Sequence, residues 1–211
     1  MLILIGERTR GKATPSGTRL CHFCNSTQSF SHVTETSYFC LFGVPLLPIE
    51  KLSDYHLCEQ CGSAYEQLTS ELPAHTEPVR AVTAYILAGY GMQHHPELAR
   101  EVAFKISGSE LSERQLRQLM NGFETDQTDV FRMLRAAACH MNVDGRLKVV
   151  EAAFLMTHAC CEIQYEDRLR VNLIGNSLGF SLHDVETAIE KVRLAAYFGV
   201  RRVLPTQPHL G

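Results

Sequence analysis

The stretch Cys21-His22-Phe23-Cys24, answered after 33 intervening residues by Cys58-Glu59-Gln60-Cys61, decides how the first third of this chain is built. A Cys-x-x-Cys turn aims two sulfurs at one point, and two such turns supply the four thiolates that a tetrahedral zinc ion prefers. One pair alone is ambiguous between redox chemistry and metal binding. Two pairs in so short a span predict one structural zinc ion held by Cys21, Cys24, Cys58 and Cys61. His22, His32 and His56 are candidate substitute ligands, but four cysteines complete the shell and the histidines read as surface residues. A filled shell leaves no coordination position for water, which argues against a catalytic zinc.

Working outward from the two turns, the flanking segments are β-like. Met1–Gly6 is apolar and β-branched, Ser37–Val44 is aromatic, and His56-Leu57 leads into the second pair. Pro45 and Pro48 confine their neighbours to sheet edges or loops. These features predict a small antiparallel β unit, too small to bury enough apolar area alone and stabilised by its metal.

Near residue 70 the pattern changes to helical period. The expected organisation is a β unit over 1–66, a linker over 67–77, a helical domain over 78–200 and a frayed tail over 201–211. Val79, Val82 and Ile86 mark one helix, and Leu98, Val102 and Ile106 a second over Pro96–Ile106. Ser112 with Gln115 forms a capping box, Leu111 with Leu116 the hydrophobic staple, and Gly122 a stop. Ser181 with Asp184 repeats the box after Gly179, which closes the preceding helix. Between them lie helical stretches near Asp126–Met141, Val149–Cys161 and Tyr165–Leu178, with Ile163, Leu169, Leu173 and Leu178 as core. The expected fold is therefore α+β and multidomain, a small antiparallel zinc-binding sheet followed by an all-α bundle of about seven helices.

Composition narrows the function. Among 211 residues, 45% are apolar and 20% charged, which suits globular folding. Residues 1–66 carry five cations (Arg8, Arg10, Lys12, Arg19, Lys51) against six carboxylates. Four thiolates around zinc add two further negative charges, so a nucleic-acid-binding ribbon is the weakest of the readings. The start of the chain lacks a basic segment and cleavage site, and Cys40, Cys139, Cys160 and Cys161 sit among apolar residues. A reducing cytoplasm is expected. The longest apolar stretch, Tyr38–Ile49, is too short and too broken by proline to span a bilayer.

Two resemblances carry the reading further. Leu2–Gly6, Cys21-x-x-Cys24, the segment Tyr38-Phe39-Cys40-Leu41-Phe42-Gly43-Val44-Pro45-Leu46-Leu47-Pro48, then Cys58-x-x-Cys61-Gly62 and Tyr65 resemble the bacterial zinc-ribbon family with a long apolar insert between its Cys pairs. Ala138 to Glu151, with its Asn-Val-Asp-Gly run, and Leu178-Gly179-Phe180-Ser181-Leu182 with Val185 resemble the TerB-like family, named from tellurite-resistance proteins. That resemblance implies an all-helical bundle with an acidic motif proposed to bind metal.

The residues of the acidic motif have a simpler reading as well. Asp144-Gly145 is turn chemistry, with Gly supplying a positive φ and Asp capping amides, and Glu151 favours the start of the next helix. A cation site of Asp144, Glu151 and His140 is the alternative, and its hard ligands suit Ca²⁺, Mg²⁺ or Mn²⁺. Glu162, Glu166 and Asp167 read as a solvated acidic face. No nucleophile elbow, phosphate-cradling loop or acid/base pair stands out. The leading expectation is a non-catalytic adaptor of a bacterial stress or tellurite-resistance-type system that docks protein partners. The alternative is metal sensing or sequestration through the acidic loop.

Overall fold

A computed structural model describes residues 5–125 and 128–203 of the 211-residue chain. Its fold is α+β: a four-stranded antiparallel sheet and, among the described residues, seven α-helices. The chain divides into two compact units. One comprises Met1–Ala74 with Ala138–Gly145, the other His75–Ala137 with Arg146–Gly211.

In the first unit the strands are β1 (Ile5–Cys21), β2 (Ser26–Leu41), β3 (Val44–Cys58) and the two-residue β4 (Ala64–Tyr65), paired in sequence order. These strands are much longer than the short runs expected from the sequence. β1 carries Glu-Arg-Thr-Arg-Gly-Lys and no apolar alternation, and it is exposed along most of its length. It is held by its ladder to β2, which pairs continuously from Ile5↔Leu41 to Pro15↔Ser31. β2 and β3 join through Phe42-Gly43, with φ of 52° and 79°. Two positive φ values in a two-residue loop match the twist of a tight hairpin. Pro45 and Pro48 lie within β3, where they have no strand on their outer side, as proline requires. Three register shifts follow in β3, skipping Leu46, Ile49 and Leu52 in the pairing with β2. Such bulges bend the strand and break the edge.

The buried centre of this unit is small: Cys21, Phe30, Cys58 and Tyr65, with Cys24 and Leu68 packed against it. Segment 138–145 joins it through hydrogen bonds. Asp54 N–H donates to Cys139 O at 2.7 Å, and His140 Nδ1 donates to Asp54 O at 3.1 Å.

The second unit contains α1 (Thr76–Gly89), α2 (Pro96–Ser107), α3 (Glu113–Thr125), most of α4 (Asp129–Ala138) and α5 (Val143–Cys160), α6 (Tyr165–Ser177) and α7 (Leu182–Leu194). Positions 149–156 of α5 are buried on every side. Apart from Glu151, which pairs with Lys191, this run is apolar all round and lies at the centre of its bundle. The capping boxes form as expected: Ser112 and Ser181 accept from Gln115 N–H and Asp184 N–H, both at 3.3 Å, and the Gln115 and Asp184 side chains accept in return. Gly179 closes α6 with φ 81°.

Several expectations fail here. Gly122 does not stop α3, because Leu116, Met120 and Phe123 carry a buried face past it. Val149 is not the start of α5; the helix begins at Val143, and Gly145 lies in its first turn without a positive φ. Asn142 is the capping residue, its Oδ1 accepting from Gly145 N–H at 2.9 Å. Leu169 and Leu173 are exposed rather than core, since α6 buries Asp167, Val171, Ile174 and Gly175 instead. Asp167 is correspondingly not part of a solvated face. Its carboxylate accepts from Tyr90 Oη–H and from Gln164 N–H. The expected start of the fourth helix at Asp126, and the tail from Leu204 on, fall outside the described residues.

Candidate metal centre

Each Cys-x-x-Cys turn sits where a long strand ends. Cys21 is the last residue of β1 and Cys58 the last of β3, so the ladder fixes both, while Cys24 and Cys61 lie on the turns that follow. In both turns the residue after the second cysteine adopts the left-handed conformation: Asn25 with φ 48° and Gly62 with φ 71°. Asn and Gly tolerate that conformation best. The second turn is closed by Gly62 N–H to Cys58 O at 2.9 Å and Cys58 N–H to Ser63 O at 3.0 Å.

The four Sγ atoms all lie within 4.8 Å of one another. Cys21 and Cys61 are 3.6 Å apart, and Cys24 and Cys58 4.0 Å. Thiolates bound at about 2.3 Å around a tetrahedral ion are spaced at about 3.8 Å, so the arrangement fits one ion. A disulfide needs sulfurs about 2 Å apart, and all four cysteines are free. Cys21 and Cys58 are fully buried, Cys24 is half-buried and Cys61 exposed.

The electrostatics of four thiols at one point divide them. Burial pushes Cys21 up, but hydrogen bonds from Tyr65, the Cys24 backbone and the neighbouring thiols more than offset this and bring it down to about 6. Desolvation, together with the other three thiols, pushes Cys24 up to about 12, and burial raises Cys58. Four thiolates cannot coexist there without a cation, so loading a metal expels protons.

A second layer supports the sulfurs. The Tyr65 hydroxyl accepts from His22 N–H at 3.1 Å and donates to Cys21 Sγ at 3.4 Å. Its ring meets Phe30 edge-on, with centroids 5.5 Å apart. The Arg19 guanidinium lies 4.5 Å from the Tyr65 ring centre and donates to the carbonyls of Leu68 and Ser70, pinning the segment after β4. Behind the second turn, Asn142 Nδ2 donates to Gly62 O at 2.9 Å. One amide side chain thus holds the turn of Cys61 with its nitrogen and caps α5 with its oxygen.

Among the described residues these cysteines are the one group of three or more His, Cys, Asp or Glu side chains placed to hold an ion. His22 is exposed. His32 and His56 stack at 4.9 Å in a separate polar cluster with Asp54, Lys51 and Ser16. Asp144 is exposed in the first turn of α5. Glu151 is buried and paired with Lys191, and His140 is hydrogen-bonded to Asp54 O. Sequence reasoning missed Tyr65 and Asn142 as supports of the centre. The position of Tyr65 four residues after Cys61 is a weak signal for the first, and Asn142 three residues before Gly145 a cap signal for the second.

No protein-family model, no curated protein and no solved structure matches this chain. No helix among the described residues is long and apolar enough to cross a membrane.

Proposed function

We propose that this chain is a non-catalytic zinc-binding adaptor, a zinc ribbon joined to a TerB-like helical domain, that presents a docking surface for protein partners in a bacterial stress or tellurite-resistance-type system. The observation that carries it is the clustering of Cys21, Cys24, Cys58 and Cys61 on two matched turns. Four soft thiolates at this spacing favour zinc over Ca²⁺ or Mg²⁺, and they fill its shell. A zinc ion held this way organises the protein rather than activating water. Within the same unit, Asn142 braces the site, since the carbonyl it holds belongs to the turn of Cys61 and the amide it caps, Gly145 N–H, lies in segment 138–145. The Ser16–His56 contact adds no nucleophile, because the Ser16 hydroxyl donates its proton to Phe30 O at 3.1 Å.

The test joins elemental analysis and native mass spectrometry of protein purified under reducing conditions to affinity capture from bacterial extract. One zinc per chain is expected, with a specific partner retained by the loaded chain and lost from Cys58→Ser/Cys61→Ser. A chain that purifies without zinc, or that retains the same proteins with and without it, sinks the reading.

A further inference from the structure

The sheet sorts its charges by face. In the uninterrupted part of the β1–β2 ladder, residues directly opposite share a face, and alternate residues along a strand share one too. Arg8, Arg10 and Lys12 therefore lie on one face, opposite Tyr38, Thr36 and Thr34, and Lys51 joins them opposite Thr36. The one carboxylate in those rows, Asp54, is engaged by Lys51 and His32. Arg8, Arg10 and Lys12 make no ion pair among the described residues. The other face carries Glu7, Glu35 and Glu50, opposite Phe39, Ser53 and Ser37. A census of whole-segment charge averages these faces to near zero and hides the basic one.

The same sheet ends in an apolar tip. Phe42, Val44, Leu46, Leu47 and Ile49 are each at least half exposed. Positions 46–49 are exposed consecutively, so both sides of the hairpin are apolar, and the bulges push Leu46 and Ile49 out of the ladder. A flat protein surface covers one side of such a hairpin, and nucleic acid takes aliphatic side chains only as isolated wedges between base steps, not as a continuous apolar tip. A lipid interface surrounds it. Tyr38, opposite Arg8, lies four residues behind the turn, about 13 Å at ~3.3 Å per residue. A tilted tip buried about 5–10 Å deep brings the Arg and Lys side chains to the level of lipid phosphates.

We propose that the β2–β3 hairpin is a peripheral membrane-docking element: its tip enters the interface of an anionic bilayer, and Arg8, Arg10, Lys12 and Lys51 engage the headgroups. Hydrophobic insertion and cation–phosphate attraction are each weak alone and sufficient together. The acidic face, turned away, sets the orientation.

The experiment uses the full zinc-loaded chain and vesicles of phosphatidylcholine with or without about one-third phosphatidylglycerol. Co-sedimentation with the anionic vesicles is expected, falling steeply with salt. It drops at least about tenfold in Arg8→Gln/Arg10→Gln/Lys12→Gln and in Leu46→Ser/Leu47→Ser/Ile49→Ser. Zinc content and circular dichroism confirm that these surface variants fold. The chain contains no tryptophan, so Leu47→Trp is a clean reporter. Its emission shifts to the blue with anionic vesicles and is quenched by lipids carrying a quencher in the acyl chain. Protein left in the supernatant, binding indifferent to the tip variant, or an unshifted Leu47→Trp emission overturns the proposal. So does tighter binding to a labelled DNA or RNA strand that needs the cations but not the tip.

Discussion

Tyr65 joins the sulfur cluster to the small apolar centre of its unit, and its hydroxyl is the only polar atom of a fully buried side chain. That oxygen accepts the His22 amide at the start of the first turn and steadies the Cys21 sulfur. Tyr65→Phe keeps the ring and its contacts with Phe30 and Arg19 but removes the hydrogen bonds to His22 N–H and Cys21 Sγ, a loss of about 0.5–1.5 kcal/mol. Removing a hydrogen bond to a metal ligand also lowers affinity by about 10–100-fold. Competition against a zinc-chelating dye should read that drop, and an unchanged affinity would reduce Tyr65 to a packing residue. His75 is a residue-scale device in the helical unit. It is buried, and burial first, with Lys148 second, pulls its pKa down to about 3 from the ordinary 6.5. The folded state therefore holds His75 neutral while the unfolded chain takes up a proton below about pH 6.5. Its stabilising effect is complete above that pH and is lost progressively as the pH falls towards 3, with a limiting slope of about 1.4 kcal/mol per pH unit. Denaturation followed by helical circular dichroism should show a shallower acid slope for His75→Gln; an identical slope refutes the assignment.

Between α6 and α7, the contact is made by a residue with no side chain. A Cβ on Gly175 of α6 would lie 2.3 Å from Val185 Cγ2 of α7. Gly175→Ala is therefore expected to destabilise by about 1–3 kcal/mol, although alanine is the better helix former. Val185→Ala, costly in the parent, should recover part of that loss in the Gly175→Ala background. A double-mutant cycle on urea midpoints checks this, and strictly additive effects would mean that the helices shift apart without strain. Element boundaries show where the sequence was legible. The boxes at Ser112 and Ser181 could be read because a cap is chemistry local to four residues. Gly122 misled because tertiary burial of Met120 and Phe123 overrides a single glycine. Asp144-Gly145 misled because a turn-forming dipeptide is equally at home in a first helical turn once Asn142 stands before it as the cap. β1 was invisible beyond its first residues, since its strand character comes from pairing with β2 and not from a buried face. The cysteine cluster was legible because ligand identity and spacing survive any uncertainty about the strands between them. Its supports were not, because Tyr65 and Asn142 act through contacts that the fold alone brings together.

At the scale of the molecule, the two units are stabilised by different means. The helical unit buries long apolar runs in α1, α2 and α5, whereas the sheet unit encloses little beyond Phe30, Tyr65 and the cysteines themselves. A sheet with long exposed strands encloses little on its own, and a metal ion bound at the four cysteines would add its binding energy as folding energy. Chelation under reducing conditions should therefore melt the sheet unit and spare most of the helical signal. Hydrogen exchange read by mass spectrometry locates the loss. Amides flanking the turns, from Cys21 to Phe30 and from Tyr55 to Tyr65, should exchange freely after chelation, while those of α1 and the middle of α5 stay protected. Gly145 N–H is the informative amide. Asn142 is fixed partly by Gly62 O, so metal loss should loosen the cap and raise exchange at the α5 N-terminus. Asn142→Ala should reproduce that fraying with zinc still bound, at a stability cost of about 0.5–2 kcal/mol. Were chelation to leave Gly145 protected, the turn of Cys61 and the cap at Gly145 would be mechanically independent, and Asn142 would serve α5 as a cap alone.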